Sequence, residues 1–188
     1  GKHVFCEKPV VNTPQHGDEL VELARQKRRM LAVNFEYRFD EAVRIMREVL
    51  SSGEIGELQV MRFINNWSAH GVLGAAGQRR ARFLQDGGGC MDCGVHFLDL
   101  ARYLSSSEFR EMSARGQWVE PQFKGPGHMM IQARMQSGAL ALVEASFVYT
   151  HNSLSRAAFM QYEVIGERGV ASWCTPPTTP GGSFSNQK

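Results

Sequence analysis

The sequence predicts an α/β (α+β) chain: one parallel crossover followed by a mostly antiparallel sheet with helices on one face. Two patterns carry this. Residues 3–39 read strand–helix–strand, the order that requires a parallel pairing. Residues 117–173 hold the short runs "HMMIQARM", "ALALVEASFVYT" and "FMQYEVI", separated by "QSG" and "GERG", the spacing of hairpins turned at glycine.

The elements follow in order. "HVFCEKPVV" is β-branched and apolar and is stopped at Pro9, so it reads as a strand leaving a sheet. In the next helix Thr13 stands at the N-cap and Pro14 at the first helical position. Leu20, Leu23, Ala24 and Lys27 mark one face of it. "LAVNFEYRF" reads as the second strand of the crossover. Asp40 is placed to cap "EAVRIMREVLSS", whose Val43, Met46, Val49 and Leu50 share a side and which Gly53 ends. "ELQVMRFINNW" begins the sheet. The run at 139–150 sets Ala139, Ala141, Val143, Ala145, Phe147 and Tyr149 on one face. Leu140, Leu142 and Val148 lie around Glu144 and Ser146 on the other. A strand apolar on both faces is expected to be covered on both, by helices and by a second subunit. The proline- and glycine-rich residues 175–188 are expected to be a mobile tail.

Composition narrows the function classes. The 188 residues suffice for a domain with a proper core, and 43% hydrophobic with 21% charged residues is ordinary for a globular protein. A formal charge of +2 gives no case for nucleic acid or an anionic membrane. The basic cluster at 25–29 ends a helix, where the dipole favours cations, and "QRRAR" at 78–82 lacks interleaved aromatics. No apolar run is long enough to span a membrane, and the opening "GKHVFCEKPVV" is expected to be the inside of a folded unit and not a signal peptide. The four cysteines, Cys6, Cys90, Cys93 and Cys174, are few for a chain of this length, so a reducing cytoplasm is the expected compartment.

The chemistry concentrates in "GGGCMDCGVHFLDL", residues 87–100. A closed zinc site needs four ligands, and Cys90 and Cys93 have no second pair. A thioredoxin-like redox pair needs a strand where three glycines stand, and those glycines lack the lysine and Ser/Thr of a P-loop. Wound as a helix at about 100° per residue, residues 90–104 place Asp92, His96, Asp99 and Tyr103 on one stripe of a surface that is otherwise mostly apolar, with Arg102 the charged exception. A buried polar stripe must be satisfied or face a cleft. Asp92 and His96, four apart, are expected to hydrogen-bond, with the carboxylate orienting the imidazole as a general base requires. A purely structural pair fits the helix equally well, and the glycines at its start favour a ligand site.

With "EKP" at 7–9, "NFEYRFDEAVRIMREVLSSGEIGEL" and the glycine–Asp92–His96 helix in this order, the chain resembles the glucose–fructose oxidoreductase / inositol dehydrogenase / rhizopine catabolism (Gfo/Idh/MocA) family over nearly its whole length. The resemblance implies an NAD- or NADP-dependent oxidoreductase of a sugar, cyclitol or related polyol. It also implies assembly as a homodimer or homotetramer through the sheet. On it, residues 1–39 are the remnant of a Rossmann-type crossover, 40–174 the substrate and oligomerisation domain. Lys8, Asp92 and His96 match the family's catalytic positions, Glu7, Lys8 and Pro9 lie by the cofactor, and the bond before Pro9 is a candidate for cis. Tyr37, with Asp92 and His96, falls on the substrate side, where several relatives have arginine or asparagine. No metal is implied. No G-x-G-x-x-G occurs in the sequence, so the dinucleotide's main binding motif is expected ahead of residue 1. The rival reading is a non-catalytic binding or scaffold protein that keeps the sheet.

Overall fold

The computed structural model describes residues 1–66, 90–118, 124–146 and 158–175. The expected basic run at 78–82, the three glycines at 87–89, the strand residues 147–150 and all but the first residue of the tail lie outside them.

The crossover is present. Strand β1 (Val4–Glu7) pairs in parallel with β2 (Leu31–Asn34), joined by helix α1 (Pro14–Gln26). Thr13 caps α1 by accepting from the His16 amide at 3.4 Å, and Pro14 opens it. None of α1's residues is buried, and Leu23 of the expected apolar face is half-exposed. The second strand is shorter than the apolar run suggests. It ends at Asn34, and Glu36–Phe39 wind instead into a single 3-10 turn. Tyr37 is drawn out of the strand by tertiary packing, since its ring lies on His96 and against Phe97.

Helix α2 (Glu41–Ser52) starts at Asp40 and ends at Gly53, whose φ of 71° is the left-handed cap that glycine adopts without strain. Asp40 stands at the N-cap with extended backbone, but its side chain does not cap. Its Oδ2 accepts from the Tyr162 hydroxyl at 3.4 Å.

A six-stranded sheet follows, in the order β4–β5–β6–β3–β7–β8: β3 (Leu58–Asn66), β4 (Phe109–Gln117), β5 (His128–Met135), β6 (Leu140–Ser146), β7 (Phe159–Gly166) and β8 (Val170–Cys174). All pairs are antiparallel except central β3–β6, which is parallel. Strand β4 is absent from the sequence reading because it is an exposed edge with no clean apolar alternation.

Between β3 and β4, the described chain enters a π-helical turn (Cys90–Gly94) and continues as α3 (Val95–Ser105). Helices α3 and α2 cover one face of the sheet. Phe97, Leu100, Ala101 and Leu104 of α3 and Val43 and Met46 of α2 are buried with Met61, Phe63, Ile131, Ala133, Ala141, Val143, Tyr162 and Val164. Phe97 lies 5.9 Å from Phe63 and 6.0 Å from Tyr162 between ring centroids, an aromatic layer that fixes α3 over the centre of the sheet. The alternation read at 139–146 holds: Ala141, Val143 and Ala145 point into this core, while Leu140 and Leu142 are exposed on the opposite face.

Candidate active site

Every member of the α3 stripe meets a partner from the crossover or the segment just after it. The Lys8 ammonium donates to the Asp92 backbone oxygen at 2.5 Å and to Asp92 Oδ1 at 3.1 Å. Tyr37 stacks on the His96 imidazole with centroids 4.1 Å apart and planes 15° apart. Glu36 Oε1 lies 3.5 Å from His96 Nε2. Arg38 grips Asp99 with two hydrogen bonds, Nε to Oδ2 at 2.6 Å and Nη2 to Oδ1 at 2.5 Å. The Arg38 guanidinium also lies over the Tyr103 ring at 5.0 Å, and Arg47 covers the same ring at 4.9 Å. The stripe that would be costly in an apolar layer thus meets the "KP" turn after β1 and the 3-10 turn 36–39, which pair Asp92 and Asp99 and stack on His96.

The local chain explains the positions. Lys8 follows the carboxyl end of β1, and its bond to Pro9 is cis. Glu7 Oε1 accepts from Asn34 Nδ2 at 2.7 Å, joining the ends of the two parallel strands. The crevice outside the carboxyl ends of parallel strands is where such sheets bind ligands. Lys8 is largely buried against Asp92, whose side chain keeps about a third of its surface exposed.

One expected contact is not made. Asp92 and His96 share no hydrogen bond. Asp92 gives Oδ1 to Lys8, and its Oδ2 accepts from the Cys93 thiol at 3.8 Å. The cause is the π turn. Its backbone bonds close on residues five apart rather than four, which takes Asp92 out of line with His96 one α-helical turn later. The carboxylate beside the imidazole is that of Glu36, which the strand expected over residues 31–39 would not aim at α3 and the 3-10 turn does.

The imidazole itself is only 2% exposed, and its Nδ1 is buried with no hydrogen-bond partner among the described residues. Burial, and then the Lys8 charge, hold its pKa below the ordinary value, while Glu36, Asp92 and Asp99 pull the other way. A histidine kept neutral is able to accept a proton near neutrality. Tyr37 is pushed up to about 12, chiefly by burial and then by the nearby Cys93, Glu36, Asp40 and Asp92, so its hydroxyl stays protonated. The structure therefore brings Lys8, Asp92, His96 and Tyr37 into one neighbourhood, with Glu7 and Pro9 at its rim. It adds Glu36 and Arg38 to the residues that the sequence pointed to. Among the described residues, no group of three His, Cys, Asp or Glu side chains is arranged to hold a metal ion.

Known proteins share this arrangement of segments. The model of the GFO/IDH/MocA C-terminal domain matches residues 43–172, and that of the oxidoreductase family, NAD-binding Rossmann fold, matches residues 1–35. The chain belongs to the GFO/IDH/MocA oxidoreductase family. It is 28% identical over 175 residues to the myo-inositol 2-dehydrogenase of Thermotoga maritima, covering 89% of this chain and 48% of that protein. It is 25% identical over 189 residues to the D-glucoside 3-dehydrogenase of Escherichia coli, covering 92% and 52%. Among solved structures, a probable dehydrogenase from Thermotoga maritima superposes with a TM-score of 0.77 at 26% identity, over 95% of this chain and 52% of that one. The WlbA dehydrogenase of Bordetella pertussis, in complex with NADH and UDP-GlcNAcA, does so at 0.80 with 17% identity, over 92% and 51%, a likeness of fold alone. The chain spans about half the length of the curated relatives it matches.

Proposed function

We propose that the protein to which this chain belongs is an NAD- or NADP-dependent oxidoreductase that interconverts a hydroxyl and a carbonyl on a sugar, cyclitol or related polyol. The observation that carries the reading is the meeting of Lys8 with Asp92, beside a buried imidazole held neutral, at the carboxyl ends of two parallel strands. Relatives named as inositol and glucoside dehydrogenases support the substrate class.

The residues present fit the reacting end of a nicotinamide dinucleotide. Glu7, Lys8 and Pro9 lie at the strand ends where a parallel sheet takes such a ligand, and Lys8 supplies the cation. When bound, the nicotinamide accepts or returns the hydride. His96 takes the hydroxyl proton as hydride leaves the same carbon. The Lys8 ammonium stabilises the negative charge that develops on the oxygen. Asp92 holds Lys8 rather than His96, so its part is to aim the ammonium. Tyr37 packs the imidazole flat and presents a protonated hydroxyl on the substrate side.

In this reading residues 1–39 complete the nucleotide-binding unit, 40–174 form the substrate and oligomerisation domain, and 175–188 are a tail. The outer face of the sheet, with Met130, Leu140 and Leu142 exposed, pairs with a second copy in a homodimer or homotetramer. The expected compartment is the cytoplasm. No disulfide joins Cys6, Cys93 and Cys174, and no described helix is long and apolar enough to cross a membrane.

The test is a dehydrogenase screen of the full-length protein over sugars and cyclitols with NAD and NADP, read by nicotinamide absorbance. Substrate-dependent reduction of either cofactor supports the reading. Cofactor and polyol binding with no turnover on any of them supports the scaffold alternative.

A further inference from the structure

We propose that Glu36 is the positioning residue of His96 and the route by which its proton reaches water. The inference rests on the oxidoreductase reading for its catalytic meaning and on the geometry alone for the coupling.

The imidazole is buried and Asp92 is committed to Lys8, so the base needs another carboxylate to steady its charged form and a path for the proton it collects. Glu36 meets both needs. Its Oε1 lies 3.5 Å from Nε2, while its side chain is half-exposed. It therefore touches the buried ring with one end and solvent with the other. The stacked Tyr37 ring holds the imidazole plane fixed, so the Nε2 direction is set by packing and not by the carboxylate alone. Among the described residues, the charged groups around the ring are Lys8 from the turn after β1, Glu36 from the 3-10 turn, Asp92 from the π turn and Asp99 from α3. Of these, Asp99 is engaged by Arg38 and Asp92 by Lys8. Among the described residues, Glu36 alone combines proximity to the ring with a solvent-facing carboxylate.

The step balances simply. The proton on Nε2 passes to Oε1 as the N–H bond breaks and an O–H bond forms. The electron pair stays on the ring, which returns to neutral, and the carboxyl then loses the proton to water. In the reduction direction the same path runs inward.

The test uses the full-length protein and two readouts. Imidazole titration by NMR on the resting protein, without substrate, should show the His96 pKa falling in Glu36→Gln, because an attractive charge has been removed. Steady-state kinetics with the cofactor should show turnover lower by ~10-fold or more, within reach of what a proton-transferring group supplies. Added formate should recover part of it in Glu36→Ala, where the vacated space admits a small carboxylate. An unchanged His96 titration in Glu36→Gln overturns the coupling. A changed titration with unchanged turnover in an active enzyme overturns the proton route. If the wild type oxidises no sugar or polyol at all, the oxidoreductase reading fails, and the titration still decides the Glu36–His96 coupling by itself.

Discussion

Arg38 and Asp99 form a two-pronged ion pair, at 2.6 and 2.5 Å, between the 3-10 turn that follows the crossover and the helix that covers the sheet. Asp99 is almost fully buried and Arg38 roughly two-thirds so. The bidentate fork satisfies both carboxylate oxygens, the geometry in which a buried pair holds its place. Its removal should be felt as stability. Arg38→Ala leaves a buried carboxylate alone and should cost ~3 kcal/mol in urea unfolding. A loss below about 0.5 kcal/mol would show that the pair is solvated in solution.

Stability should also fall on mild acidification, through His96. Its folded pKa lies below the ordinary 6.5, because burial and Lys8 disfavour the imidazolium. The unfolded chain therefore binds a proton that the folded chain does not, and acid favours unfolding. The contribution is complete above 6.5, declines as pH falls through the window down to the folded pKa, and is flat below it. The urea midpoint of the wild type should decline across that window more steeply than that of His96→Asn. Equal slopes would contradict the depressed pKa.

Gly166 and Gly53 should respond to alanine for different reasons. A Cβ on Gly166 would lie 2.1 Å from the Ile55 backbone oxygen, so the loop before β3 must move away from the end of β7. At Gly53 nothing lies within 4 Å, and the cost is the left-handed φ of 71° alone. Thermal or urea unfolding should give ~1 kcal/mol for Gly53→Ala and ~2–3 kcal/mol for Gly166→Ala. The reverse order would mean that the Ile55 loop yields easily.

The outer sheet face gives a prediction on assembly. Leu142 stands exposed near the centre of that face, beside the Arg62–Glu163 ion pair at 2.9 Å. If two copies meet there, Leu142→Lys in the full-length protein should lower the mass found by light scattering toward that of the monomer. A wild type that is already monomeric at micromolar concentration refutes the proposal.

These results also show what local pattern carries. The crossover, the α2 face and the inward alanines and valines of β6 follow from period and capping, because each is decided within a few residues. The polar stripe on α3 followed from period as well. Its partners did not: Lys8 bonds Asp92 across 84 residues of chain and Arg38 bonds Asp99 across 61, and pairing at that distance leaves no local trace, so Lys8 was placed beside the stripe by the family resemblance and Glu36 and Arg38 were not placed at all. The same cause hid the 3-10 turn, since "NFEYRF" has strand-like residues and is bent only by the packing of Tyr37 on His96. The π turn hid the fate of Asp92, because a four-residue spacing presumes an unbroken α-helix.

The central claim is that the buried imidazole at 96 does the proton chemistry while the dinucleotide is held elsewhere. Steady-state kinetics and cofactor titration of His96→Ala in the full-length protein test it most directly. Turnover should drop by ~10²–10⁴-fold with cofactor affinity kept. The paired Cys90→Ala and Cys93→Ala changes should leave turnover within a few fold, because neither thiol is given a part in proton or hydride transfer. A wild-type rate in His96→Ala, or a folded double-cysteine variant without activity, would contradict the account.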